Sequence, residues 1–389
     1  MSKIDVHVNV IDEKDRQSQL FYRCRTTEIR VNGVTFKTPL RPITRSELNA
    51  KKNVPVATPL LNDKNILFLP YKLSFEYMKK VLTENEGYKK LYDDAKNLIK
   101  RGAHSPLPLI LIQPSQQGLL NINRITYDRF LRMTFNLQTS LQNNNNNLLT
   151  IPYLGEMTQI DIIRKIHESV LKEGMQPIFF LDLKHDEKHF KQIVDFIKDE
   201  NTTGAINLLG LIFHQYEDVA VNYDYVWDTL KNEKLGIIMS DVKRKFDDDH
   251  LSSLHFSEYR LGDVFCIENR TYFVKQKVEI AKININFFDR SELTVKDFVH
   301  NIPDADKIAQ DLDVENSSKD KEYLNILFAN KEDKKKLSRI SHLSKVHEVV
   351  ASKKELTISR DYIDGQNSVD YIKDKKPLYN RITGLFKYT

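Results

Sequence analysis

The chain has 389 residues, of which 40% are hydrophobic and 29% charged, and its formal net charge is +5. This balance is typical of a globular protein and excludes an intrinsically disordered chain. No run approaches the roughly 20 apolar residues of a membrane span, and the acidic start of the chain differs from a signal peptide. We therefore expect a cytoplasmic protein with no membrane partner. Its two cysteines, Cys24 and Cys266, are too few for a disulfide framework or a cysteine-built zinc site.

The first 140 residues carry local signals of mixed structure. Residues 21–39 alternate around Asn32-Gly33, where both positions tolerate positive φ, and this pattern predicts a β-hairpin. From residue 40 to residue 75, prolines separate short apolar runs, and two helical patterns follow. Residues 106–114 then predict a buried strand. A run of five asparagines at 143–147 predicts a surface loop.

From residue 148 to about 267, apolar runs alternate with amphipathic helical patterns at intervals of about 30 residues, the length of a β-α-β unit. The runs are apolar throughout, as expected for parallel strands that are buried on both faces. Five successive units favour a closed (β/α)8 barrel. The alternative is an open doubly wound sheet, but the glycine-rich first turn of a dinucleotide-binding unit is missing, so we expect no cofactor.

Three regions follow from these patterns. We expect an N-terminal hairpin region at 1–40, the barrel at 41–290 and a basic, helical C-terminal extension at 291–389, with a charged linker at 314–322.

Polar residues that end the predicted strands are the candidates for chemistry, because barrels carry their reactive groups at the carboxyl ends of their strands. These residues are Asp182, Lys184, His185, His214, Tyr216, Glu217, Asp241 and Asp263, followed by Cys266. Caps and loop anchors are the alternative role for each of them. His185 and His189 are also four residues apart, which is a metal-ligand spacing on one face of a helix.

Two basic clusters are candidates for phosphate contact, although each is also consistent with a solvated surface. The first is Lys243, Arg244 and Lys245, directly after Asp241. The second lies in the extension and consists of Lys334, Lys335, Lys336, Arg339 and Lys345.

Residues from about 175 to 270 resemble the tRNA-guanine transglycosylase superfamily in the layout of several motifs. Leu209-Gly210-Leu211 with Tyr216-Glu217 is similar to the family's Gly-Gly-Leu turn and later Glu, and residues 238–242 are similar to its Leu-Met-Gly-Val-Gly strand. Residues 262–266 resemble its Gly-x-Asp-Met-Phe-Asp motif. The hairpin at 31–39 and the helical residues 337–356 are similar to the family's opening and closing elements. Together these matches cover about half of the chain.

The resemblance implies a (β/α) barrel that exchanges guanine for a deazaguanine base in nucleic acid, with tRNA favoured over DNA as the partner. It implies catalytic roles for Asp263, Cys266 and Asp182 and substrate contacts for Gly210, Glu217, Asp241 and Ser115. The nucleic-acid contacts would be Lys243, Arg244, Lys245, Lys335 and Arg339.

Several of the family's groups are replaced in this chain. Its nucleophilic aspartate falls on Cys266, its Asp-Ser-Gly-Gly motif near residues 113–116, and its Gln-Gly-Gly on residues 182–184, while its zinc site is missing. Base exchange needs a nucleophile at the sugar and an acid for the leaving base, so Asp263 or Cys266 would have to substitute.

Three hypotheses follow from the sequence. The first is a transglycosylase-like barrel that binds nucleic acid, either as a variant enzyme or as a non-catalytic subunit of a homo- or heterodimer. The second is a metal-dependent barrel hydrolase that uses His185, His189, His214 and Asp241 as ligands. The third is a structural or interaction barrel without chemistry.

Overall fold

The chain folds into a mixed α/β structure, seen here in a computed structural model. The structure describes residues 4–14, 21–51, 54, 65–102, 105–115, 118–119, 124–141, 147–213, 218–242, 262–267, 285–298, 302–329 and 334–376. No helix in these ranges is long and apolar enough to cross a membrane.

An antiparallel three-stranded sheet opens the fold. Strand β1 (Asp5–Lys14) pairs with β2 (Phe21–Val31), which pairs in turn with β3 (Val34–Lys37). Asn32 and Gly33 form the turn with φ of +51° and +76°, so the predicted hairpin is confirmed. Strand β1 was not predicted, and it extends the hairpin into a sheet.

A three-stranded parallel sheet follows, in the order β4-β5-β6. Its strands are β4 (Ile43–Thr44), β5 (Ile66–Leu73) and β6 (Leu107–Pro114), and its helices are α1 (Arg45–Lys51), α2 (Phe75–Thr83) and α3 (Asn85–Arg101). Ser74 caps α2 because its side chain accepts a hydrogen bond from the amide of Tyr77. The two predicted helices and the predicted strand at 106–114 are confirmed.

A five-stranded parallel sheet has the order β11-β10-β9-β8-β7. Its strands are β7 (Leu148–Ile151), β8 (Gln176–Asp182), β9 (Leu208–Ile212), β10 (Gly236–Val242) and β11 (Val264–Ile267). The helices before and between them are α4 (Arg124–Leu141), α5 (Ile160–Lys172), α6 (Glu187–Thr202) and α7 (Ala220–Leu230). Gly174, at φ +71°, follows the end of α5, where its left-handed conformation stops the helix. The prediction of consecutive parallel strands is therefore confirmed from β7 to β11.

Alternate residues of the parallel strands belong to two apolar layers, as the period of a strand requires. Phe179 and Leu181 of β8 pack with the helices in the outer layer. Ile178 and Phe180 belong to an inner cluster that also contains Phe68 of β5 and Leu109 of β6. The Phe68 and Phe180 rings lie 6.1 Å apart. The inner cluster thus joins the two parallel sheets, and its remaining members include residues of the N-terminal sheet, namely Val6, Ile29, Val31 and Phe36.

The C-terminal part begins with an antiparallel hairpin of β12 (Asn286–Asp289) and β13 (Thr294–Asp297), which the sequence did not predict. Four helices follow, α8 (Ala305–Asp311), α9 (Ser318–Phe328), α10 (Lys334–Asp364) and α11 (Ser368–Asp374), and they confirm the predicted helical extension. The prediction of a linker at 314–322 was wrong in its second half, where Ser317 accepts a hydrogen bond from the amide of Asp320 and caps α9.

A buried cluster of three charged side chains links α10 to the first parallel sheet. Arg41, just before β4, lies 3.3 Å from Glu47 of α1 and 3.1 Å from Glu348 of α10. All three side chains are buried. Glu47 also accepts hydrogen bonds from the amide and the hydroxyl of Thr44. These bonds replace the water that its carboxylate would bind at the surface.

Candidate functional site

Three polar side chains meet where β5, β6 and β10 end, and we call them the strand-end cluster. Lys72 Nζ of β5 lies 2.8 Å from Asp241 Oδ1 of β10. Gln113 of β6 directs Nε2 toward Asp241 Oδ2 at 3.5 Å, which is a weak hydrogen bond at most. The carboxyl ends of the two parallel sheets therefore face each other across this cluster.

Two local features distinguish the strand-end cluster. Asp241 has φ of +59°, a conformation that non-glycine residues adopt at a cost and mostly at functional positions or turns. The buried Oε1 of Gln113 finds no hydrogen-bond partner among the described residues. A buried acceptor left without a donor is costly. Of the predicted substrate contacts that the structure describes, Asp241 is the one that lies in this cluster.

A second polar group lies at the ends of β7 and β8. Tyr153 Oη and His185 Nδ1 are 3.0 Å apart, and Asp182 Oδ1 accepts a hydrogen bond of 2.8 Å from the amide of Lys184. Burial lowers the pKa of His185, while burial and then Asp182 raise the pKa of Tyr153. The tyrosine and the histidine are therefore both uncharged at neutral pH, and Asp182 caps the turn after β8.

Cys266 lies in β11, and its side chain belongs to the inner apolar cluster. It is 1% exposed, and burial raises its pKa well above that of a free thiol, with Asp241 adding to the rise and Arg41 opposing it. A thiol in such surroundings is protonated and poorly nucleophilic.

The placement of Asp263 at the carboxyl end of a strand was wrong. Asp263 directly precedes β11 and therefore lies at its amino end. Its side chain is fully buried, where it binds Arg25 of β2 and accepts a hydrogen bond of 2.7 Å from the amide of Ile237. Burial raises the pKa of Asp263, and Arg25 is the strongest influence opposing that rise. The side chain cannot reach the edge where Asp241 and Lys72 lie.

The remaining predicted residues are scattered. Ser115 accepts a hydrogen bond of 3.2 Å from the amide of Gly118, and Gly210 lies in the middle of β9. Arg339 is exposed on α10, and Lys335 belongs to the same helix. Lys334, Lys336 and Lys345 also belong to α10, but Lys345 is buried and is therefore not available for a phosphate contact. His214, Tyr216, Glu217, Lys243, Arg244 and Lys245 lie outside the described residues.

Gly210 has a packing role that can be tested. A Cβ atom built at Gly210 would lie 2.4 Å from the nearest ring carbon of Phe180. We expect Gly210→Ala to lower the free energy of unfolding by about 1–3 kcal/mol, because the Phe180 ring would have to move within a closely packed cluster. Urea unfolding measures this change. In the double variant Phe180→Leu/Gly210→Ala the alanine should cost clearly less, and an equal cost in both backgrounds would contradict the packing role.

The hydrolase ligand set does not assemble in the described part of the chain. The rings of His185 and His189 are 6.2 Å apart, but His189 Nδ1 contacts Asp186 at 2.8 Å and Asp241 contacts Lys72. No three His, Cys, Asp or Glu side chains within the described ranges are arranged to hold a metal ion.

Sequence reasoning missed Lys72, and it considered Gln113 only as the start of residues 113–116, where the resemblance places the family's Asp-Ser-Gly-Gly motif. Both are the last residue but one of a strand, so the strand-end rule would have found them in the apolar runs before residue 114. Their approach to Asp241 required the tertiary structure. Comparison with known proteins adds no assignment, because no family model and no curated protein matches this sequence.

Proposed function

We propose that this protein is a transglycosylase-like (β/α)8 barrel that binds nucleic acid without carrying out base exchange itself. Closure of the barrel is supported by the segment before β4. The amide of Leu40 donates to the carbonyl of Asp263 and the carbonyl of Leu40 accepts from the amide of Phe265, both at 2.9 Å, which makes Leu40 a parallel neighbour of Val264.

Two further contacts support the same closed order of strands. Thr150 Oγ1 of β7 donates to the carbonyl of Ile110 of β6 at 2.5 Å. The inner cluster contains residues from β5, β6, β7, β8, β9, β10 and β11. With the Leu40 bridge, β4 to β11 would form a ring of parallel strands that the N-terminal sheet covers at one end.

The non-catalytic part of the proposal rests on the burial of Cys266. The resemblance aligns this residue with the family's nucleophilic aspartate. Here the side chain is a protonated thiol inside an apolar cluster, and the nearby carboxylate of Asp263 is engaged by Arg25. Neither group has the exposure and the charge that attack on a sugar carbon requires.

The nucleic-acid part of the proposal rests on the resemblance of residues 175–270 and on two basic residues of α10, the exposed Arg339 and Lys335 one turn before it. A subunit of this kind would contribute binding to a dimer whose partner supplies the nucleophile. A tRNA on α10 would contact Lys335 and Arg339, which are four residues apart and therefore neighbours on one side of the helix.

The experiment combines two measurements on the purified full chain. The first is incorporation of labelled guanine into tRNA, comparing wild type with Cys266→Ala. The second is tRNA affinity as a function of salt concentration. We expect no incorporation by wild type, together with binding that weakens steeply with salt. Lys335→Gln/Arg339→Gln should reduce the salt slope by about two, since each phosphate contact contributes about one.

The control variant is Lys89→Gln/Lys100→Gln on α3, which removes the same charge from another helix and should leave the slope nearly unchanged. Incorporation that Cys266→Ala abolishes would establish an active enzyme and overturn the non-catalytic proposal. Absence of both incorporation and salt-dependent binding would overturn the proposed function altogether.

A further inference from the structure

The turn between β2 and β3 contains the one Asn-Gly dipeptide of the sequence, Asn32-Gly33. Both residues are exposed, with φ of +51° and +76°. No atom beyond the chain neighbours lies within 4 Å of the position that a Cβ atom would take at Gly33. The amide of Gly33 donates no hydrogen bond to any residue that the structure describes. Its backbone nitrogen is therefore open to solvent and to an electrophile beside it.

That electrophile is the side-chain amide of Asn32. When a base removes the amide proton of Gly33, the nitrogen can attack Cγ of Asn32. A five-membered imide forms as the side-chain nitrogen leaves as ammonia. One water molecule then opens the ring at either carbonyl carbon, which gives aspartate or isoaspartate, and the isoaspartate backbone runs through the former side chain. The reaction consumes one water, releases one ammonia and needs no enzyme. Glycine as the next residue favours the attack because it has no side chain to hinder it.

We propose that Asn32 is a site of spontaneous deamidation, through which the protein gains a negative charge and a fraction of isoaspartate at this turn. The modification is independent of nucleic-acid binding, because it requires only the turn and water.

Two other exposed asparagines are less favourably placed, although each precedes a small residue. Asn316 precedes Ser317, whose amide donates to the carbonyl of Val314 at 3.0 Å. Asn367 precedes Ser368, which is 1% exposed. Both serines also carry a side chain next to the nitrogen that would have to attack. Asn32 should therefore react before either of them.

The folded turn slows the reaction without preventing it. Ring closure requires rotation about the bond between Cα and the carbonyl carbon of Asn32, so the left-handed turn has to open first. An exposed hairpin tip opens at a much lower free energy than the whole protein. We therefore expect deamidation at Asn32 to be slower in the folded protein than in urea, but still measurable.

The two products should differ in their effect on the N-terminal sheet. Aspartate tolerates the left-handed conformation as asparagine does, so it preserves the hairpin. Isoaspartate adds one carbon to the backbone of a two-residue turn, which disturbs the pairing of Val31 with Val34. Val31 and Phe36 of this hairpin belong to the inner apolar cluster. The isoaspartate form should therefore unfold at a lower urea concentration.

The test incubates the purified full chain in neutral and in alkaline buffer and follows its peptides by mass spectrometry, with fragmentation that separates aspartate from isoaspartate. We expect Asn32 to exchange its NH2 group for OH before Asn316 and Asn367, to give both products, and to react faster in alkaline buffer. Asn32→Gln should keep its amide, because the longer side chain would have to close a six-membered ring. Asn32→Asp should unfold at the same urea concentration as fresh wild type.

The chain in urea supplies the reference for the folded protein. Conversion of Asn32 in urea without any conversion in the folded protein over the same period would overturn the proposal, because the turn would then prevent the attack. Earlier conversion of Asn316 or Asn367 would also overturn it. Aspartate formed without isoaspartate would have the same consequence, since the imide opens at both of its carbonyl carbons.

Discussion

Replacing Arg25 by methionine is expected to lower the free energy of unfolding by about 3–5 kcal/mol, because the change leaves a buried carboxylate without its partner. All three guanidinium nitrogens of Arg25 donate hydrogen bonds. Nε and one terminal nitrogen bind Asp263, and the remaining hydrogen bonds go to the carbonyls of Leu230, Lys231 and Leu235. The measurement is urea unfolding at neutral pH.

Two comparisons separate this explanation from a general loss of packing. Arg30→Met breaks a half-exposed pair with Glu28 on the same strand and should cost less than about 1 kcal/mol. The double variant Arg25→Met/Asp263→Leu should recover most of the loss, because no charge remains buried. A double variant as unstable as Arg25→Met would contradict the proposed role of the pair.

The loss in Arg25→Met should also depend on pH. Burial already raises the pKa of Asp263 in the folded protein, and removing Arg25 takes away the main opposing influence. A group with a raised pKa contributes stability at low pH that is lost as the pH rises through that pKa. The difference between variant and wild type should therefore be largest at neutral pH and shrink as the pH falls toward the pKa of Asp263. A difference that stayed constant with pH would argue against a buried charge.

Arg41→Met is expected to have an effect of similar size, about 3–5 kcal/mol, because two buried carboxylates lose their shared cation. Burial lowers the pKa of Arg41, and Glu47 opposes this effect. Since Glu348 belongs to α10, the damage should concentrate where that helix meets α1. Hydrogen exchange should show faster opening of α10 in the variant, in addition to the lower unfolding midpoint.

Arg45→Met is the matched control for Arg41→Met. Arg45 lies four residues further along and forms a half-exposed pair with Asp94 at 3.1 Å. Exposed pairs contribute little, so the control should lose less than about 1 kcal/mol and leave α10 unchanged. Similar losses in the two variants would mean that the Arg41 cluster does not hold α10 in place.

The two candidate nucleophiles show which features of the site could be predicted from the sequence. Cys266 was identified by its position in a motif, and the structure adds that its side chain faces the inner apolar cluster. Asp263 precedes its strand in the sequence, so its place at the amino end was already readable there. Its partner Arg25 is 238 positions away, and no local pattern connects the two.

The sequence by itself determined the hairpin at Asn32-Gly33, the alternation of parallel strands and helices from β7 to β11, and the helical extension. These features depend on turn chemistry and on the period of apolar residues, which act within a few neighbouring positions. The tertiary structure alone decided the joining of the two parallel sheets in one inner cluster, the pairing of Arg25 with Asp263, and the meeting of Lys72 and Gln113 with Asp241. Such contacts join residues that are far apart in the chain. Their stability depends on which partners are buried together away from water, and the spacing of apolar residues in the sequence does not identify those partners.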